Sequence, residues 1–125
     1  MISKKGKNKG RQFEYKIRKF FIENGCFVYV KGVSTPGPDI LAIKGNKVFL
    51  IECKNYSSKT MKLDTLLKNT RLQIKEYESI KNEIIQKTIL KPILMAIIKY
   101  DKKYFLLKDD EIHLLKNFKE IKNFI

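Results

Sequence analysis

Two acidic residues and one lysine break an otherwise apolar stretch, PDILAIKGNKVFLIECKN, residues 38–55. They are Asp39, Glu52 and Lys54. Gly45-Asn46 between two apolar runs is the signal of a two-residue hairpin. Taken literally, that turn pairs Lys44 with Lys47, and counting outward it pairs Ile40 with Ile51. Asp39 then stands directly opposite Glu52. Directly opposed residues share a face, with Cβ atoms roughly 4.5–5.5 Å apart, and like charges there destabilise a sheet. A divalent cation between them removes the conflict, and Mg²⁺ prefers carboxylate oxygens while keeping several waters. Lys54 lies on the same face, about 6.6 Å further along at ~3.3 Å per residue. An ammonium there is placed to hold an attacking water or to stabilise charge on a phosphorane-like transition state. Without a metal the same residues read as a strand-end cap and a surface ion pair.

The elements that position these residues follow from periodicity and punctuation. Residues 1–10 (MISKKGKNKG) read as a basic flexible arm, and residues 11–125 as one domain. A helix is expected over 11–24, with Phe13, Ile17, Phe20 and Phe21 on one face and Gly25 as its stop. Residues 26–30 (CFVYV) form a short strand, and 31–38 (KGVSTPGP) a loop. Strands 39–44 and 47–53 make the hairpin. A polar loop covers 55–62. The capping-box spacing Thr70-x-x-Gln73 predicts a helix from about 70 to 87. A buried strand (93–100), a second strand (104–108) and a last helix from about 110, carrying His113 on its surface, complete the order αβββαββα. That is one α/β domain with a mixed sheet flanked by helices.

Composition narrows the function. The chain has 125 residues, with 27 Lys+Arg against 13 Asp+Glu, a net charge of +14. Such a balance suits a polyanion. No apolar run reaches the roughly 18–20 residues of a membrane span, and no apolar segment follows the basic N-terminus as in a signal peptide. A soluble intracellular protein without a membrane partner is therefore expected. Cys26 and Cys53 have no metal-motif spacing and read as reduced thiols; Cys53 points away from Glu52, into the core. Lys5, Lys7, Lys9 and Arg11 are candidates for phosphate contact, the other reading being a solubilising tail. Lys59, in the loop of KNYSSKTMK, is a further DNA-binding candidate, the alternative being an ordinary surface loop. Glu14, one step off the apolar stripe of its helix, reads from the residues alone as a solvated glutamate.

Pro38-Asp39…Glu52-Cys53-Lys54 resembles the PD-(D/E)xK nuclease motif. The wider context is similar to the archaeal Holliday junction resolvases: Lys9-Gly10, Glu14 on the first helix, Gly25-Cys26-Phe27-Val28 at a strand entry, Ser34 in the loop, then Asp39 and Glu52/Lys54. The resemblance covers about residues 9–55. It departs at Tyr15, where the family usually has Arg, and at Thr35, where Gly usually follows the serine. The resemblance implies a restriction-endonuclease-like fold and a metal-dependent endonuclease that resolves four-way junctions. It implies that Glu14, Asp39 and Glu52 hold Mg²⁺, with Mn²⁺ able to substitute. It further implies that Lys54 stabilises the transition state and that Ser34 assists at the scissile phosphate. Other PD-(D/E)xK nucleases, acting on linear or damaged DNA, share the motif. A basic DNA-binding protein with an inactive nuclease fold is the non-enzymatic alternative, which the joint presence of Asp39, Glu52 and Lys54 argues against. Branched DNA is the expected partner. A four-way junction is close to two-fold symmetric and needs two cuts, so a homodimer is expected, through Leu114, Phe124-Ile125 and an edge strand at 104–108.

Overall fold

The computed structural model describes residues 4–31 and 36–125, with only the backbone described for 4–9. The elements are α1 (Lys4–Glu23), β1 (Phe27–Val30), β2 (Ile40–Lys44), β3 (Lys47–Tyr56), α2 (Leu63–Lys75), α3 (Glu78–Lys87), β4 (Lys91–Tyr100), β5 (Lys103–Lys108), β6 (Glu111–Leu115) and a final 3-10 helix (Phe118–Phe124). All six strands join one sheet in chain order, β1 to β6. Among the described residues only β3 and β4 pair in parallel, and the helical crossover α2–α3 makes that possible. The expected α/β domain with a mixed, helix-flanked sheet is therefore what forms.

The two central strands are buried on both faces, which is why they read as unbroken apolar runs. Phe13, Ile17 and Phe21 of α1 cover Phe49, Ile51, Met95 and Ile97 on one face. Cys53 packs against this cluster, as its alternation with Glu52 requires. Leu66, Ile74 and Tyr77, from α2 and the turn after it, cover Leu50, Ala96 and Ile98 on the other.

Several expected boundaries are corrected. Helix α1 begins at Lys4, not near residue 11, so residues 4–10 of the basic arm are helical. Strand β3 runs on to Tyr56 because its parallel pairing continues to Tyr100. The helix expected over 70–87 is two helices, broken at Glu76–Tyr77. Thr70 is no cap: it is buried within α2, where its hydroxyl donates to the Leu66 carbonyl at 2.7 Å.

The last helix, expected from about 110, is reduced to the 3-10 helix Phe118–Phe124. Asp109 and Asp110, at φ 51° and 64°, form a two-residue turn of the mirror-image type that suits a hairpin. That turn folds 111–115 back as β6, so the element order is αβββααβββ plus a 3-10 helix. Strand β5 accordingly lies between β4 and β6 and is not an edge, and Leu114 sits on β6. The edge position expected for 104–108 is therefore withdrawn.

Candidate active site

The hairpin register is the expected one, from Lys44 opposite Lys47 to Ile40 opposite Ile51. Gly45 supplies the positive φ, 60°, that the turn requires. One step beyond the last paired residues, the side chains of Asp39 and Glu52 meet and hydrogen-bond to each other. Asp39 is further fixed by the Cys53 N–H, which donates to its Oδ2 at 2.9 Å. Its Oδ1 is 3.7 Å from the Lys31 ammonium, which also donates to the Gly37 carbonyl at 3.1 Å.

Glu52 is 2% exposed. Burial first, and then its contact with Asp39, hold its carboxyl protonated up to about 8, while the Tyr77 hydroxyl and the Lys54 charge pull the other way. The Tyr77 hydroxyl donates to Glu52 Oε2 at 2.5 Å and lies 3.2 Å from the Gly37 carbonyl. Burial and the bond to Glu52 push the Tyr77 phenol up, so it stays a donor, and Gln73 hydrogen-bonds it in turn. Gln73 thus supports Tyr77 instead of closing a capping box.

Glu14 is half-buried on α1. Burial raises its pKa, the Asp39 charge adds to the rise, and Arg18 and Lys31 oppose it. The Cys53 thiol is also pushed up, by burial and then by the charges of Asp39, Glu14 and Glu52. Three acids from α1, the residue before β2, and β3 therefore share one field. Among the described residues no three Asp, Glu, His or Cys side chains close into a metal cage. The donor set still fits a hard cation. Asp39 and Glu52 offer only oxygen donors and lie in contact, the donor type such a cation prefers. Mg²⁺ needs only one or two protein carboxylates, water and substrate phosphate filling the remaining positions.

The other expected site residues are placed as follows. Lys54 is half-buried on β3 and its charge acts on Glu52. Arg11 is exposed on α1, and Lys59 is exposed in the turn after β3. That turn is tied down by Ser58 N–H to Asp101 Oδ1 at 2.9 Å and Tyr100 hydroxyl to the Met61 carbonyl at 2.8 Å. Lys5, Lys7 and Lys9 lie on α1, their side chains outside the described residues, as is Ser34 altogether. His113 is on β6, beside Glu111 and the Phe124 ring, and not on a helix.

Two site residues were not singled out from sequence, Tyr77 and Lys31. Tyr77 has the spacing of an ordinary inward helix residue, and only the break between α2 and α3 turns its hydroxyl to Glu52. Lys31 carries no local signal beyond being two residues past Tyr29.

Residues 5–76 match the family described as archaeal Holliday junction resolvase (Hjc). The chain belongs to the archaeal Holliday junction resolvase family. The matched span contains Glu14, Asp39, Glu52 and Lys54 and stops one residue before Tyr77. Membership in the resolvase family implies a nuclease that binds DNA. No curated protein matches the chain. No helix among the described residues is long and apolar enough to cross a membrane.

Proposed function

We propose that this chain is a metal-dependent endonuclease that cuts four-way DNA junctions, using Asp39, Glu52 and Lys54 as its reaction centre. The observation that carries the reading is the contact between Asp39 and a buried Glu52, with Lys54 next on the same strand face. Two like charges so placed cost stability unless a cation or proton joins them. Mg²⁺, or Mn²⁺ in its place, would be held by Asp39 and Glu52 with Glu14 nearby, and would supply Lewis acidity toward the phosphodiester and an acidified water.

The chain's own residues do the rest. The Cys53 N–H and Lys31 orient Asp39. Tyr77 fixes Glu52. Lys54 presents its ammonium to the negative charge that develops on the phosphoryl oxygens. Lys5, Lys7, Lys9, Arg11 and Lys59 contribute phosphate contacts, consistent with the net charge of +14. Ser34 is assigned a position near the scissile phosphate on the resemblance of its loop alone.

Each chain offers one such centre, so paired cuts across a two-fold junction call for a homodimer. Light scattering should return about twice the chain mass of 14.8 kDa. The decisive assay compares a four-way junction, a linear duplex and a single strand, each with Mg²⁺ and with EDTA. Paired, Mg²⁺-dependent cuts in the junction alone are expected. Equal cutting of linear duplex would make the chain a general PD-(D/E)xK nuclease, and binding without any cutting would make it an inactive DNA-binding fold.

A further inference from the structure

Strand β1 carries a feature that the carboxylate chemistry does not use. Among the described residues it is an edge strand, paired only with β2. Phe27 stands opposite Ile43 and Tyr29 opposite Leu41, so both rings share the sheet face that α3 covers further in. No described helix covers β1 in the same way: Phe27 is 69% exposed and Tyr29 61%. The stripe has a direction. Two residues past Tyr29 comes Lys31, whose ammonium contacts Asp39 at 3.7 Å. Tyr29 and Lys31 line a hollow of about 260 Å³ with Gly37, Pro38, Leu41 and Ile80, and Lys31 links that hollow to Asp39 of the acidic site.

Two large rings, each more than half exposed on one face, mark an interaction surface. Charge selects the partner. The stripe ends at Lys31 on a chain of net charge +14, which favours a polyanion over a second basic copy. Spacing selects the form of that polyanion. Side chains two residues apart on a strand are about 6.6 Å apart, whereas bases in an intact duplex repeat every ~3.4 Å along each strand. The two rings therefore cannot each take a neighbouring base from an intact stack, but they can receive bases that are already unstacked.

We propose that Phe27 and Tyr29 form a stacking platform for unpaired bases beside the scissile phosphate. The platform directs the chain to DNA whose base stack is interrupted, as it is at a branch point. This inference rests on the nuclease reading for the identity of the polymer. Binding alone tests it, because stacking needs no metal.

The experiment is fluorescence anisotropy in EDTA with the full chain. One probe is a blunt duplex; the other is the same duplex with a central run of unpaired thymines. Wild type should bind the interrupted probe more tightly. Phe27→Ala with Tyr29→Ala should weaken that binding by roughly 10- to 100-fold, and binding to the blunt duplex by less than about twofold. Tyr29→Trp should retain the preference. Tyr29→Leu, which keeps apolar bulk without a π-face, should behave like Tyr29→Ala.

Equal losses on both probes, or full rescue by leucine, would overturn the platform. So would a double variant whose light-scattering mass falls to half that of wild type, since the patch would then belong to a second copy. The nuclease reading fails by a different result, the absence of Mg²⁺-dependent cutting of any DNA by wild type. Cutting by wild type with no difference between the two probes would sink the platform alone.

Discussion

Two hairpins of the sheet are built alike and charged differently. Both β2–β3 and β5–β6 turn through two residues with positive φ at the first, Gly45 in one and Asp109 in the other. At its turn the β5–β6 hairpin pairs Lys108 with Glu111, opposite charges. The β2–β3 hairpin pairs Lys44 with Lys47 at its turn and brings Asp39 against Glu52 at its open end. Cross-strand pairs contribute roughly 0.2–1 kcal/mol when complementary and cost a comparable amount when alike. One hairpin follows the rule for a stable sheet. The other breaks it twice, and one breach lies where a cation and a phosphodiester would meet. A local conflict that the rest of the fold sustains points to function.

The largest effect should come from removing charge while keeping shape. Glu52→Gln retains an oxygen for Tyr77 and offers Asp39 a donor, so the protein should fold. Cleavage of a junction at saturating Mg²⁺ should nevertheless fall to background in a gel assay. Activity within tenfold of wild type would separate the acidic pair from the chemistry.

Lys54→Ala should lower kcat by roughly 10²- to 10³-fold, the scale for losing one group that meets developing charge. Its Mg²⁺ midpoint should move little. Unchanged turnover would remove Lys54 from the reaction.

Tyr77→Phe should act more gently, because Tyr77 acts through Glu52. A loss of about 10- to 100-fold in Mg²⁺ affinity or activity is the usual size for a group that orients a metal ligand. Isothermal titration with Mn²⁺ reads it without turnover, and an unshifted midpoint would assign Tyr77 to packing alone.

The smallest change should be Glu111→Gln in the complementary hairpin. Urea unfolding should record a loss of about 0.5 kcal/mol or less, the range of exposed ion pairs. Any change in cleavage there would blur the contrast between the hairpins.

The sequence was most legible where turn chemistry and strand alternation agreed. Gly45-Asn46 fixed the register, and with it the meeting of Asp39 and Glu52 and the opposite aim of Cys53. It was least legible where a turn lacked its usual residues. Asp109-Asp110 holds two positive-φ positions without glycine. The spacing of Ile112, Leu115, Phe118 and Ile121 therefore read as a helix, although Leu115 and Ile121 are buried by a strand and a 3-10 turn. Tyr77 was hidden for a related reason. Helical spacing placed it on an inward face, and the break between the two helices at Glu76–Tyr77, which sets the hydroxyl on Glu52, has neither Gly nor Pro to announce it.

The most direct test of the acidic pair as a cation site is thermal unfolding against pH, with and without Mg²⁺. In metal-free buffer the folded Glu52 carboxyl keeps its proton to about 8, against an ordinary value of 4.5. Between those values the folded chain binds more protons than the unfolded chain, so stability falls as pH rises, by at most about 1.4 kcal/mol per unit. The contribution is complete below 4.5 and gone above about 8. Saturating Mg²⁺ takes the proton's place, so it should flatten this slope and raise Tm most at pH 8, on the order of 4 °C for each kcal/mol of binding. Glu52→Gln should show neither the slope nor the Mg²⁺ shift. Metal-free stability that is level from pH 5 to 8 in wild type, together with a Tm that Mg²⁺ leaves unmoved, would contradict the assignment of Asp39 and Glu52 to a cation.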